Sequence, residues 1–194
     1  MPRPAPSDAG ALKPQNKIRI GGGEWRSRLL RFPDALGLRP TPDRVRETLF
    51  NWLGQELYGL HCLDLFAGSG ALGFEAHSRG AASVTLVEQN PAVHRVLLDN
   101  AQQLNAERAR VLRMDALQYL AGNTQRYDVI FLDPPFGQGW LEKLLPRLKD
   151  QLAPEGRLYV EAESPLSEMA GWQVLKHGKA GNVFYHLLKF ADEK

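Results

Sequence analysis

The residues best suited to chemistry stand in YDVIFLDPPFGQG, residues 127–139, where an apolar run ends in Asp133, Pro134, Pro135 and Phe136. Two consecutive prolines enforce a rigid, extended exit from the run, so the Asp133 carboxylate and the Pro134 carbonyl form a stiff pair of acceptors. Such a pair suits the exocyclic amine of a nucleobase. That nitrogen is a poor nucleophile because its lone pair is delocalised into the ring. Acceptors that hold both N–H bonds favour a more pyramidal nitrogen and aim the lone pair at an electrophile. Phe136 is placed to stack on the base, a contact worth roughly 1–3 kcal/mol, and a base taken from structured RNA must first be unstacked.

A second constellation lies upstream in LDLFAGSGALGFEA, residues 63–76. Small residues at a strand-to-helix turn let the backbone approach a ligand, while the helix start offers free N–H groups. Gly68, Gly70 and Gly73 fit the G-x-G-x-x-G spacing, and Glu88 follows Gly70 by 18 residues, where an acceptor for ribose hydroxyls belongs. The spacing implies a nucleotide-type ligand and leaves its identity open. Asp64 points to a cationic ligand, since a carboxylate there would repel pyrophosphate. Asp115 either accepts from an adenine amine or caps the following helix.

These residues need strands that end where they stand. Apolar runs at 61–66, 83–88, 110–114, 127–132 and 157–162 alternate with helix-length segments near 70–79, 91–104, 115–121 and 139–152. That rhythm predicts βαβ units and a mostly parallel α/β sheet with helices on both faces, and such sheets bind ligands at the carboxyl ends of their strands. The stretch WQVLKHGKAGNVFYHLLKF breaks the rhythm and predicts an antiparallel hairpin at one edge. Toward the N-terminus, a helix is expected from about 43 to 54, and KIRIGGGEWRSRLLRF predicts a basic hairpin around Gly21, Gly22 and Gly23. Residues 1–16, with four prolines and no hydrophobic period, are expected to form a flexible tail. The expected organisation is thus tail 1–16, hairpin extension 17–38 and one main domain 39–194.

Net charge is only +2, yet residues 1–46 hold ten Lys/Arg against four Asp/Glu, while the remainder holds fourteen against eighteen. A basic arm on an acidic body implies a polyanionic partner, and eight of the ten cations are arginines, which suit bidentate phosphate contacts. Arg19, Arg26, Arg28 and Arg31 are therefore expected on RNA phosphates, with Trp25 either on a base or in a small local core. No apolar run is long enough for a membrane helix and no secretory signal is evident, so a soluble, cytoplasmic protein is expected. The single cysteine, Cys62, reads as a buried thiol; no metal is expected.

The Asp64–Gly70 loop and the Asp133–Phe136 tetrapeptide resemble the cofactor loop and amino-group signature of class I S-adenosylmethionine-dependent methyltransferases. Together with GGGEWRSRLLRF and LRPTPDRVRETLFNWL, they are similar to the RsmD-type bacterial 16S ribosomal RNA guanine-N2 methyltransferases, over about residues 17–190. The resemblance implies a Rossmann-like, mostly parallel seven-stranded sheet and methyl transfer from S-adenosyl-L-methionine to N2 of one guanine. It also implies 16S ribosomal RNA or a small ribosomal subunit particle as partner, and a monomer is expected. Position by position, it assigns Arg39, Thr41, Arg44 and Glu47 to a segment closing over the cofactor. Asp64, Phe66, Ala67, Gly68, Ser69 and Gly70 become the loop, Glu88 with Gln89 the ribose end, Asp115 and Ala116 the adenine end, and Asp133, Pro134, Pro135 and Phe136 the reactive site. Gly137, Gln138, Gly139 and Trp140 lack the basic residues some relatives carry there. The competing enzyme is a nucleotide-dependent dehydrogenase, favoured only by the glycine spacing. A non-catalytic RNA-binding module is disfavoured because both motifs are intact.

Overall fold

The computed structural model describes residues 16–34, 38–167, 169 and 171–191. The expected tail lies outside them except for Asn16, which opens the first strand. Two short strands, β1 (Asn16–Arg19) and β2 (Leu29–Phe32), pair antiparallel with Ile18 opposite Leu30. Helix α1 (Asp43–Leu53) follows, entered through Pro42, whose carbonyl accepts from the Val45 and Arg46 amides.

The main sheet is built from β3 (His61–Asp64), β4 (Ser83–Glu88), β5 (Ala109–Arg113), β6 (Tyr127–Leu132), β7 (Leu152–Ala162), β8 (Trp172–Ala180) and β9 (Val183–Phe190). Its order is β5-β4-β3-β6-β7-β9-β8, parallel from β5 to β7 and antiparallel where β9 joins β7 and β8. The expected seven-stranded, mostly parallel sheet with a C-terminal hairpin is therefore present. The strand order reverses about β3, between β4 and β6, and open α/β sheets bind ligands at such a crevice. The crossovers carry α2 (Ala71–Ser78), α3 (Pro91–Leu104), α4 (Ala116–Gly122) and α5 (Trp140–Leu148).

Alternation along the strands divides the core. Cys62, Val129, Phe131 and Tyr159 face a cluster with α1, α2, α3 and the N-terminal hairpin, whereas Leu63, Ile130, Leu132 and Val160 face α4 and α5. The hairpin is part of the first cluster: Ile18, Ile20, Trp25, Leu30 and Phe32 are buried there. The triple glycine makes this docking fit. A Cβ on Gly23 would stand 1.9 Å from the Ser78 carbonyl oxygen at the end of α2, and one on Gly22 would meet the Arg79 guanidinium. The Gly21 amide donates to Glu75, itself paired with Arg79 at 2.9 Å, so the arm is fastened to α2 through a buried ion pair.

Candidate functional site

Four acidic residues end four successive parallel strands in space: Glu88 on β4, Asp64 on β3, Asp133 immediately after β6, and Glu161 on β7. Alternation sends Asp64 and Glu161 to the face covered by α1 and α2, and hydrogen bonds fix both. The Gly73 amide in the first turn of α2 donates to Asp64 Oδ2 at 3.0 Å. Glu161 Oε1 accepts from the Thr41 hydroxyl at 2.6 Å and from the Tyr159 hydroxyl at 2.9 Å.

Burial dominates the electrostatics here. It pushes Asp64 up to about 7, with Glu88 and Glu161 adding to the rise and the Gly73 amide opposing it. Asp133 is raised well above the usual carboxylate range, by burial first and then by the charges of Glu161 and Asp64. Glu161 is raised by burial as well, its two hydroxyl donors opposing the shift. Carboxyls held in so unfavourable a state await positive charge or N–H donors. No hydrogen bond reaches the Asp133 side chain from the described residues.

The glycine loop turns tightly between β3 and α2, with Gly68 at φ +51° and Gly70 at φ +79°. Glu88 braces it: Oε2 accepts from the Gly68 amide at 3.0 Å and Oε1 from the Asn90 amide at 2.7 Å, which leaves lone pairs on both oxygens for hydroxyl donors. Ser69 is buried and receives the Ala71 amide. The glycine spacing misleads at Gly73. That residue is tight against the sheet, where a Cβ would stand 2.8 Å from Leu86, and its amide serves Asp64. A carboxylate therefore occupies the first turn of α2 where a dinucleotide would bring pyrophosphate, whereas an ammonium or sulfonium suits it.

The other expected site residues fall in distinct places. Thr41 is buried against Glu161, and Leu38 lies over the loop, 2.7 Å from where a Gly68 Cβ would be, so the segment before α1 does reach the carboxylates. Arg39 and Arg44 are exposed. Glu47 points elsewhere: it lines a cleft of about 810 Å³ between the hairpin, α1 and the far end of α2, with Arg19, Arg26, Asp43 and Arg46. That cleft is the larger one, yet it is remote from the carboxylates, and its charges largely neutralise one another through Arg46–Asp43, Arg79–Glu75 and Arg108–Glu24. Asp115 caps α4, with Oδ1 accepting from the Leu117 and Gln118 amides, and its other oxygen is left over. Ala116, the first residue of α4, is buried, Gln89 is exposed, and Ala67 donates its amide to the Val87 carbonyl. Phe66 sets its ring edge-on to Trp140, 5.3 Å between centroids.

Beside Asp133, Pro134 to Phe136 line a cleft of about 150 Å³ with Trp140, Glu161 and Glu163. Phe136 is exposed, at 39%, a large ring turned toward solvent. The loop beyond it is tied back by the Gly137 amide on Glu163 at 3.0 Å. Of the two places open to Trp25 the structure takes the core: only 4% exposed, it stacks on His77 and is unavailable to a base, so it does not serve as an RNA-binding residue. Arg19, Arg26, Arg28 and Arg31 remain exposed, Arg19 and Arg26 lining the same cleft as Glu47. Arg28 reaches the Gln103 carbonyl on α3, and Arg31 pairs across the hairpin with Lys17.

Sequence reasoning overlooked Glu161, Tyr159 and Leu38. The signal for Glu161 was present, because RLYVEA carries an acidic residue one position before the end of a buried strand, close to where β3 and β4 carry theirs. Among the described residues there is no cluster that would hold a metal ion, and no helix is long and apolar enough to cross a membrane.

Comparison with known proteins places this geometry in context. The family model for Conserved hypothetical protein 95 matches residues 18–189. The chain is 48% identical over 176 residues to ribosomal RNA small subunit methyltransferase D of Escherichia coli, covering 88% of this chain and 89% of that one. It is 42% identical over 181 residues to the protein of that name from Haemophilus influenzae, covering 89% and 94%. A solved structure of the Escherichia coli protein yhhF superposes with a TM-score of 0.83 at 46% identity, over 92% of this chain and all of that one. At 23% identity, the fold is also that of a T. thermophilus 16S rRNA N2 G1207 methyltransferase in complex with AdoMet and guanosine, with a TM-score of 0.71 over 94% of this chain and 51% of that one.

Proposed function

The chain belongs to the family of Conserved hypothetical protein 95, which includes the ribosomal RNA small subunit methyltransferases D, and from that premise we propose that it methylates the exocyclic N2 of one guanine in 16S ribosomal RNA. The methyl donor is S-adenosylmethionine. The observation that carries the reading is the Asp133 carboxylate, without a partner among the described residues, on a proline-stiffened exit beside an outward-facing aromatic ring and the crevice-side carboxylates.

The residues fit such a donor molecule. Asp64 and Asp133 offer negative charge to a cationic ligand, Glu88 offers acceptors to ribose hydroxyls, and the free oxygen of Asp115 offers one to an adenine amine. Leu38 covers the loop and Thr41 holds the Glu161 carboxylate, both from the segment before α1. S-adenosylmethionine supplies an electrophilic methyl carbon on a positively charged sulfur that departs with the bonding electrons. The protein's part is placement. Asp133 and the Pro134 carbonyl hold the two N2 hydrogens, Phe136 stacks on the base, and bringing nitrogen and methyl carbon to near-attack distance supplies most of the rate. No strong base is required, because the methylated N2 sheds an acidic proton, which Asp133 or water accepts. The hairpin arginines contact phosphate on the RNA or on an assembled small-subunit particle.

The reading is tested by incubating the protein and labelled S-adenosylmethionine with protein-free 16S ribosomal RNA and with small-subunit particles, then analysing nucleosides by mass spectrometry. N2-methylguanosine at one position is expected; label on adenine, cytosine or no nucleoside would overturn it.

A further inference from the structure

An Asp-Pro acceptor pair holds the amine of adenine, cytosine or guanine alike, so it does not by itself select guanine. The selection needs another group, and the sheet supplies one. In the order β4-β3-β6-β7, the glycine loop and Glu88 lie on one side of Asp133, and Glu161 lies on the other. Strands are about 4.8 Å apart, so Glu161 is one spacing from Asp133 and two from β3. It is thus on the substrate side of the reactive carboxylate, and it lines the same cleft as Pro134, Pro135 and Phe136.

The Glu161 carboxylate is only 5% exposed and is held by two hydroxyls, both on Oε1. Among the described residues no donor reaches Oε2. Among the described residues the fully buried side-chain polar atoms without a partner are Arg46 Nε and His186 Nδ1, so Glu161 Oε2, which has no donor either, keeps some exposure in a residue that lines the cleft. A carboxylate pinned through one oxygen presents the other in a fixed direction, at little further entropic cost.

From this juxtaposition we propose that Glu161 is the residue that makes the site specific for guanine, its Oε2 accepting the N1–H of the base while Asp133 and the Pro134 carbonyl accept the N2 hydrogens. Guanine's Watson–Crick edge carries three N–H bonds, one on N1 and two on N2, and the site offers three acceptors. Adenine places an amine beside an unprotonated N1, which would set a lone pair against Glu161. Cytosine does the same with N3. Buried carboxylate against acceptor is a strong rejection, because the charge is left without a partner in a site that excludes water. The inference rests on the guanine-N2 reading above.

The test uses 2-aminopurine, which keeps the 2-amino group and lacks the N1 hydrogen. It replaces the guanine modified by the wild-type protein, in the particle or RNA that the protein accepts. The wild-type protein should methylate 2-aminopurine at least about 10²-fold more slowly than guanine, judged by kcat/KM. In Glu161→Gln, the amide keeps an oxygen for Thr41 and Tyr159 and offers an N–H toward N1. The preference should shrink to within about tenfold, chiefly through loss on guanine, while S-adenosylmethionine affinity by calorimetry changes less than about threefold. Wild-type protein that methylates both bases equally overturns the proposal without any variant. A Glu161→Gln preference equal to wild type, with both rates lowered together, also overturns it and leaves Glu161 only the task of holding Thr41. Absence of N2-methylguanosine from the wild-type reaction would instead fail the parent reading, a result separable from the other two.

Discussion

Trp25 lies flat on His77, ring centroids 4.2 Å apart and planes 13° from parallel, and this stack clamps the N-terminal hairpin to α2. Burial, followed by the Arg108 charge, lowers His77 to about 4. The neutral ring therefore belongs to the folded state. Its contribution is complete above the unfolded value near 6.5 and is lost as pH falls through about 4. Measured by urea unfolding, the stability of wild type relative to His77→Phe should be lower at pH 4.5 than at pH 7.5, by on the order of 2 kcal/mol. An equal difference at both pH values would show that the imidazole does not titrate in this range.

Asp64 carries the opposite sign. Its carboxyl is raised from 3.8 to about 7, so the folded state holds a proton that the unfolded chain releases, and stability present below pH 4 is lost as pH rises to 7. Asp64→Asn should stabilise the ligand-free protein at pH 7.5 by a few kcal/mol, since each tenfold weakening of the acid corresponds to about 1.4 kcal/mol, and should flatten the pH profile. It should also weaken S-adenosylmethionine binding. A variant with unchanged stability and affinity would remove Asp64 from both accounts.

Gly23 and Gly181 both have positive φ, +77° and +58°, but only Gly23 lies against backbone. Gly181→Ala should cost about 1 kcal/mol, the left-handed penalty alone. In Gly23→Ala the added methyl meets the Ser78 carbonyl oxygen at 1.9 Å, so the hairpin must lift from α2. A destabilisation of about 3 kcal/mol or more is expected for such backbone overlap, with Trp25 fluorescence shifted to the red. Similar midpoints for the two variants would contradict this docking.

Asp133 and Phe136 should separate in kinetics. Asp133→Ala removes an acceptor fixed on the reacting nitrogen and should lower kcat by about 10² to 10³ with nearly unchanged cofactor affinity. Phe136→Ala should chiefly raise KM for RNA, by about one to two orders of magnitude, in line with stacking worth about 1–3 kcal/mol. Full activity of Asp133→Ala on RNA would exclude it from the mechanism.

Deleting residues 1–32 cannot test the arginines, since Ile18, Ile20, Leu30 and Phe32 are core residues. Substituting Lys17, Arg19 and Arg31 with alanine leaves that core intact. The slope of log Kd against log salt for RNA should fall by about 0.7–0.9 for each phosphate no longer neutralised. An unchanged slope would take these residues out of the RNA interface.

Local residue order specifies most of the strands, the helices and the sheet-edge chemistry, although the helix expected over 139–152 ends at Leu148 and β7 begins at Leu152 rather than at 157. Periodicity places β4 at 83–88, β6 at 127–132 and α3 at 91–104 as observed, because a buried parallel strand and an amphipathic helix leave different repeats in apolar residues. Prolines and glycines dictate the exit after Leu132 and the turn after Asp64 through backbone restriction at those positions. Long-range packing governs what depends on neighbours far along the chain. The basic arm is a docked element because Glu75, His77 and Ser78 receive it, and Trp25 is core for the same reason. Glu47 turns toward a different cleft. Glu161 joins Asp133 and Thr41 only because β7 lies beside β6, a pairing that spans residues too distant in sequence for any local pattern to record.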